Sequence, residues 1–176
     1  RRLCQGPSPR MTCPIRLRPV IPADLPIFFE HQRDASANHM AAFGAADPQD
    51  RAAIMAKWDK ILKTPGVLAR TIEVAGDVAG HIVNFEMFGA PNVTYWIGKP
   101  WWGHGVATGA LQAFLDEFDT RPVQARVAKD NIASLKVLQH AGFVIRGEDR
   151  AFAPGRGAEV EEYVLVLEPE ALAAAS

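Results

Sequence analysis

Apolar positions along this chain switch between a period of two and a period near 3.6, and each switch predicts an element. Ile15-Arg16-Leu17-Arg18 alternates and reads as an edge strand that Pro19 and Pro22 end. Leu25, Phe28 and Phe29 lie one turn apart and predict a short helix with Pro26 in its first turn. From Asp34 to Ala46 no period is visible, so this stretch, which holds Asn38, His39 and Met40, is expected to be a connecting loop. Asp47-Pro48 has the chemistry of a helix cap followed by a first-position proline. The helix it predicts buries a stripe of Ile54, Trp58, Ile61 and Leu62 and stops at Thr64-Pro65-Gly66.

Two β runs, Val67 to Val74 and Val78 to Phe88, join through Gly76-Asp77 as a hairpin. On the second run His81, Val83, Phe85 and Met87 face one way, and Ile82, Asn84, Glu86 and Phe88 the other. His81 is expected to be a structural, hydrogen-bonded histidine. Glu86 is either a plain solvent-facing carboxylate or a candidate general base. Val93, Tyr95 and Ile97 alternate with Thr94 and Trp96, and Ala107, Leu111, Phe114, Leu115 and Phe118 then share one helical face. Val123, Ala125 and Val127 form the next strand after Pro122. Asp130 or Asn131 caps a helix whose inner face is Leu135 and Leu138, with Gly142 after its end and Phe143 free to pack back on Leu138. Strand runs at Val144 to Phe152 and Glu161 to Leu167 flank Pro154-Gly155-Arg156-Gly157, and an alanine-rich tail after Glu168 is expected to be a short helix or frayed. The order is strand, helices, three strands, helix, strand, helix, two strands. It predicts an α/β fold with a mixed, largely antiparallel central sheet of about seven strands and helices on both faces.

The stretch from Tyr95 to Leu111 places a glycine-rich turn between a strand and a helix. The first N–H groups of a helix have no intrahelical partner, and the macrodipole adds positive charge there. Glycines let the backbone approach a ligand closely, so this arrangement suits a phosphate or pyrophosphate. No Gly-Lys-Ser or Gly-Lys-Thr occurs, which excludes an NTPase-type phosphate loop. A dinucleotide fingerprint would need its third glycine at Thr108, and Gly109 is one residue late, which leaves a dinucleotide-dependent enzyme as a poor alternative. A turn whose glycines serve geometry alone is the plainer alternative.

The chain has 176 residues, enough for one domain, and its net charge of -1 gives no general pull toward nucleic acid or membrane. Cys4 and Cys13 form no metal or redox spacing, and no apolar run is long enough to span a bilayer. A soluble, reduced, cytoplasmic setting is the expectation. Residues 1–10 read as an upstream translated leader or a vector-encoded extension, Met11 as a natural start, and residues 11–176 as one domain.

A second stretch, Ala125 to Phe143, sharpens the picture. Trp102-Gly103-His104-Gly105-Val106-Ala107 followed by Asn131, Ser134, Gly142 and Phe143 resembles the GNAT superfamily of acetyl-CoA-dependent N-acetyltransferases, and within it the branch that acetylates ribosomal-protein N-termini. Trp102 stands where the general pattern has Arg or Gln, and Gly109 where the branch usually has Glu. The resemblance runs from Ile15 to Leu167.

That resemblance implies a GNAT-like fold in which pantetheine inserts between the strand ending at Ile97 and the strand Val123 to Val127. It implies an acetyl-CoA site made by Ile97, Trp102, Gly103, His104, Gly105, Val106, Ala107, Thr108, Asn131, Ser134 and Lys136, with Lys99 a further phosphate contact. The acceptor would be a primary amine, on a peptide N-terminus or a small molecule, attacking the thioester directly. Many members place a tyrosine at the seventh residue after the asparagine, and Leu138 stands there, so Ser134 is the remaining hydroxyl for the leaving thiolate and Glu86 the candidate base. Glu86, Glu159, Glu161 and Glu162 would attract a cationic amine if they converged. Neither nucleic acid nor membrane is an expected partner, and a homodimer is compatible with the pattern. A non-catalytic acyl-CoA-binding regulatory domain is the alternative from a different class.

Overall fold

The period-two runs become seven strands in the computed structural model of the chain, which describes residues 14–169. They are β1 (Ile15–Pro19), β2 (Ala69–Val74), β3 (Asp77–Met87), β4 (Ala90–Ile97), β5 (Val123–Ala128), β6 (Val144–Ala153) and β7 (Ala158–Leu167). They form one sheet in the order β1-β2-β3-β4-β5-β7-β6. Every neighbouring pair is antiparallel except β4 and β5, which run parallel. The leader, Met11, Cys4, Cys13 and the alanine-rich tail lie outside the described residues.

Helices cover both faces because the central strands are apolar on both. Helices α4 (Val106–Glu117) and α5 (Ile132–His140) pack Leu111, Phe114 and Leu138 against Ile72, Ile82, Val93 and Val127. On the other face α1 (Leu25–Gln32) and α3 (Arg51–Lys63) pack Phe28, Phe29, Ile54 and Trp58 against Ala69 and Val83. The register pairs Tyr95 with Ile82 and Trp96 with His81, so β4 presents Tyr95 and Ile97 toward α4 and α5 and Trp96 toward α1. Among the described residues no helix is long and apolar enough to cross a membrane.

Several expectations are corrected. The stretch after Asp34 is not a plain loop: it holds α2 (Ala35–Ala41), capped by the Asp34 carboxylate accepting from Ala37 N at 2.8 Å. At seven residues the helix is too short to show a stripe, and its buried residues are Ala37 and the polar Asn38. Asp47 does not cap α3. Its carboxylate accepts from Gln49 N in a turn, and Asp50 caps the helix by accepting from Ala53 N. Leu62 is exposed, off the stripe that Ile54 and Trp58 bury. The β2–β3 turn centres on Ala75 and Gly76, both at positive φ, one residue before the expected pair. Phe88 stands 77% exposed in the β3–β4 turn rather than on the β3 face.

Candidate functional site

The parallel pair β4 and β5 meets at one registered position, Asn92 opposite Gln124. Beyond it the two strands part, while the outer edge of each stays paired, β4 with β3 up to Ile97 and β5 with β7 up to Ala128. Gly98 N donates to Ala79 O at 2.7 Å. Antiparallel pairing alternates inward and outward backbone groups. That bond therefore fixes the N–H and C=O of Ile97 and Tyr95 pointing away from β3, into the gap beside β5. Two unpaired strand edges facing each other are a template for an extended chain carrying amides.

The glycine turn lies past the open end of this gap. Residues 99–101 form a short 3-10 turn, and Trp102 then donates from its indole Nε1 to Ile97 O at 2.8 Å, tying the turn back to β4. Gly103 and Gly105 adopt φ of +78° and +73°, a region that favours glycine, and a side chain at either would meet nothing within 4 Å. Gly105 is the N-cap of α4, and no side chain caps that helix. The N–H groups of Val106, Ala107 and Thr108 therefore face outward beside exposed Gly103, His104 and Gly105.

Across the gap, α5 begins at Asn131, whose Oδ1 accepts from Ser134 N at 3.3 Å and whose Nδ2 donates to Met40 O at 3.3 Å. Ser134 Oγ and the Tyr95 hydroxyl lie 2.7 Å apart, a bond between α5 and β4 that closes over the gap. Burial raises the Tyr95 phenol above its usual range, against the opposing pull of the Ser134 bond. Arg156 in the β6–β7 turn forks onto Asp130 at 2.7 and 2.8 Å and also donates to His39 O, so α2 and this turn are held against the start of α5.

The expected cofactor residues thus fall into one region: Ile97 on the gap edge, 102–108 at the helix start, Asn131 and Ser134 at the facing helix. The Trp102 ring nitrogen is spent on Ile97, so its part is to hold the turn. His104 is exposed in the turn itself, Lys136 is exposed on α5 but on a different helix face from Ser134, and Lys99 stands 3.9 Å from Asp34. Leu138 is 2% exposed in the core, which explains why no hydroxyl stands there. At Gly109 a Cβ would come within 2.5 Å of the terminal Cδ1 of Ile15 on β1, so a side chain there would require only that flexible end to shift.

Glu86 is exposed on β3 opposite Pro91, beside the closed end of the gap and on the same sheet face as Tyr95. The four glutamates do not converge. Glu162 is buried and bonded to Arg126 at 2.6 Å, and Glu161 points to the other face of β7 toward Lys129 and Arg150. Glu86 is separated from them by β4 and β5. His81 lies on the apolar face between Phe28 and Trp58, at ring distances of 4.9 and 4.7 Å, but is not the hydrogen-bonded histidine expected. Its Nδ1 has no partner among the described residues, nor do Nδ1 of His31 and Nε1 of Trp96 on the same side of the sheet. The residues that sequence reasoning missed are Tyr95 and Arg156. Tyr95 meets Ser134 across 39 positions, and Arg156 reaches Asp130 across 26, so no local pattern signals either.

The family description "Acetyltransferase (GNAT) domain" matches residues 15–144. Over 105 residues the chain is 26% identical to the uncharacterized N-acetyltransferase p20 of Bacillus licheniformis, a match that spans 57% of this chain and 58% of that relative's length. Among solved structures, the spermidine N-acetyltransferase of Vibrio cholerae, in complex with CoA and spermine, superposes with a TM-score of 0.76 at 15% identity, covering 88% of this chain and 95% of that one. Mycobacterium smegmatis RimJ, in complex with CoA-disulfide, gives 0.74 at 22% identity, covering 90% and 84%. At these identities the likeness carries the fold.

Proposed function

Because the chain belongs to the GNAT acetyltransferase family, we propose that it is an N-acetyltransferase that moves an acetyl group from acetyl-CoA to a primary amine by direct attack. The observation that carries this reading is the parting of β4 from β5 past Asn92 and Gln124, followed by the uncapped, glycine-flanked start of α4. The outward N–H and C=O of Tyr95 and the outward N–H of Ile97, whose carbonyl already accepts from Trp102, suit the amides of pantetheine, which would lie between the strands as an extended chain. The N–H groups from Gly103 to Thr108 and the positive end of the α4 dipole suit the pyrophosphate, with the Thr108 hydroxyl a further donor. Asn131 and Ser134 bound the same space from α5, His104 flanks it, and Lys136 would reach the nucleotide phosphates only from the outer side of α5.

An aliphatic amine has a pKa of ~10 and attacks only when neutral, so its proton must pass to a base or to water. In this reading Glu86 relays that proton through water from the closed end of the gap. Backbone N–H groups on the gap edge of β4 stabilise the developing oxyanion. The Ser134 hydroxyl faces the leaving sulfur. The acceptor is a peptide N-terminus or a small amine: the neighbours above include both an enzyme solved with spermine and RimJ. A homodimer is part of the proposal and is read by light scattering.

Calorimetric titration with acetyl-CoA, followed by thiol release over a panel of N-terminal peptides and polyamines, tests the reading. Saturable binding with amine-dependent release supports it and begins to define the acceptor. Binding with no release from any amine favours a non-catalytic acyl-CoA-binding domain. Folded protein that does not bind acetyl-CoA overturns it.

A further inference from the structure

The hydroxyls of Tyr95 and Ser134 form a pair whose protons do not balance. Two hydroxyl protons are available and the 2.7 Å bond between the oxygens uses one. Neither oxygen has another hydrogen-bond partner among the described residues. A serine in a helix would ordinarily turn its proton back to a carbonyl of the preceding turn, and Ser134 makes no such bond. One proton is therefore not committed within the described residues, at a half-buried pair beside the gap. The protein supplies no acceptor for it among the described residues, and the pair stands across the gap between β4 and β5, next to the outward backbone of Tyr95.

We infer that Tyr95 is a positioning residue for acetyl transfer: it fixes the Ser134 hydroxyl so that the free proton of the pair is donated as a hydrogen bond to the thiolate leaving the thioester. This rests on the acetyltransferase reading. A phenol is the stronger donor of the two, so Tyr95 donates to Ser134 Oγ and polarises it, and Ser134 turns its own proton outward. Burial supports this direction by keeping the phenol in its protonated form. Asn131 holds the backbone of Ser134 from the other side, so the oxygen is set by two anchors. In the step, the bond from the amine nitrogen to the acyl carbon forms and the carbon–sulfur bond breaks with its electron pair going to sulfur. The pair keeps both of its protons. The proton lost by the amine reaches the sulfur through solvent.

The test titrates the thiol of CoA bound to the protein, followed by thiolate ultraviolet absorbance, which needs no knowledge of the acceptor. In the wild type the bound thiol should ionise at a lower pH than the same thiol of free CoA titrated in parallel. Tyr95→Phe and Ser134→Ala should each raise that value by about one unit, which is tenfold less thiolate at a given pH. The double variant should add nothing further, and Ser134→Thr should restore the wild-type value. With an accepted amine, Tyr95→Phe should lower kcat about tenfold while KM for acetyl-CoA stays within about threefold. A bound-thiol value in Tyr95→Phe equal to wild type, with CoA still bound, overturns the inference whatever Ser134→Ala does, while leaving the transferase standing. If the wild type binds no CoA, the acetyltransferase reading itself fails and the inference falls with it. Should Tyr95→Phe not fold, Tyr95→Leu, which also removes the phenol hydroxyl while keeping an apolar side chain on this strand face, is titrated in its place.

Discussion

The indole Nε1 of Trp102 donates to the carbonyl oxygen of Ile97 at 2.8 Å, so the last residue of β4 and the glycine turn after it are held as one unit. The bond links the two halves of the proposed acetyl-CoA site, the strand edge and the helix start. Trp102→Phe keeps most of the ring and removes the donor. A typical hydrogen bond contributes about 0.5–1.5 kcal/mol net, so acetyl-CoA affinity should weaken by roughly two- to tenfold. Calorimetry on the variant measures it. Unchanged affinity would mean that the turn is held by its own backbone.

Gly105 caps α4 at a φ of +73°, with open space where a side chain would stand. Substitution there meets strain and not collision. Gly105→Ala should cost about 1 kcal/mol of stability, read by urea unfolding, and weaken acetyl-CoA binding as the first turn shifts. Gly105→Asn should recover most of the stability, because asparagine tolerates this backbone region and caps a helix. If alanine proves as stable as glycine, the turn relaxes out of this conformation.

The sheet was largely legible because its signals are local. Alternation at Ile15, Val93 and Val123 and the caps around Asn131 and Gly142 are read within a few residues. In the helix end, Phe143 N donates to Leu138 O and Gly142 N to Gln139 O, closing α5 as the glycine implied. The failures have physical reasons too. Helix α2 is too short to show a period, and Asp47 and Asp50 are chemically equivalent caps between which only the fold decides. The four glutamates do not converge because Glu86 lies on β3, with two strands between it and β7, a sheet order that sequence distance does not reveal, while the alternation that sends Glu161 and Glu162 to opposite faces was already implicit in the strand. The Tyr95 bond to Ser134 was invisible because it forms only when β4 and α5 are brought together.

Asp24, 2% exposed at the start of α1, receives the Arg18 fork at 2.7 and 2.8 Å, with Thr71 Oγ1 at 2.7 Å and Ile21 N at 2.9 Å. Burial alone would raise its carboxyl, but the bonds from Arg18, Ile21 and Thr71 outweigh it and hold the group below the usual carboxylate range. The cluster pins α1 to β1 and β2. Asp24→Ala strips partners from a half-buried arginine and a buried threonine, so it should cost about 3 kcal/mol by urea unfolding. Asp24→Asn, which keeps some of the bonds, should cost less. A loss below about 1 kcal/mol for the alanine variant would show that Arg18 is satisfied by Glu73 alone.

His81 sets the acid limit of stability. Desolvation, reinforced by His31 and Lys57 nearby, pushes its imidazole down from 6.5 to about 3. The folded protein therefore keeps this ring neutral where the unfolded chain protonates it. The stability this confers is complete above pH 6.5 and is lost as the pH falls from 6.5 toward 3. Each unit within that window removes at most about 1.4 kcal/mol, so roughly 2–3 kcal/mol should be gone by pH 4.5. His31, also lowered by burial, acts in the same direction. Asp24, held below its usual 3.8, gives up its contribution mainly at pH values under that figure, outside the pH 7 to 4.5 comparison. His81→Phe keeps an aromatic ring between Phe28 and Trp58 and removes the orphaned Nδ1. It should be at least as stable as the wild type at pH 7 and lose markedly less stability between pH 7 and 4.5 when urea unfolding is compared at both. An identical acid loss in the two proteins would falsify the assignment and move the acid limit to other groups.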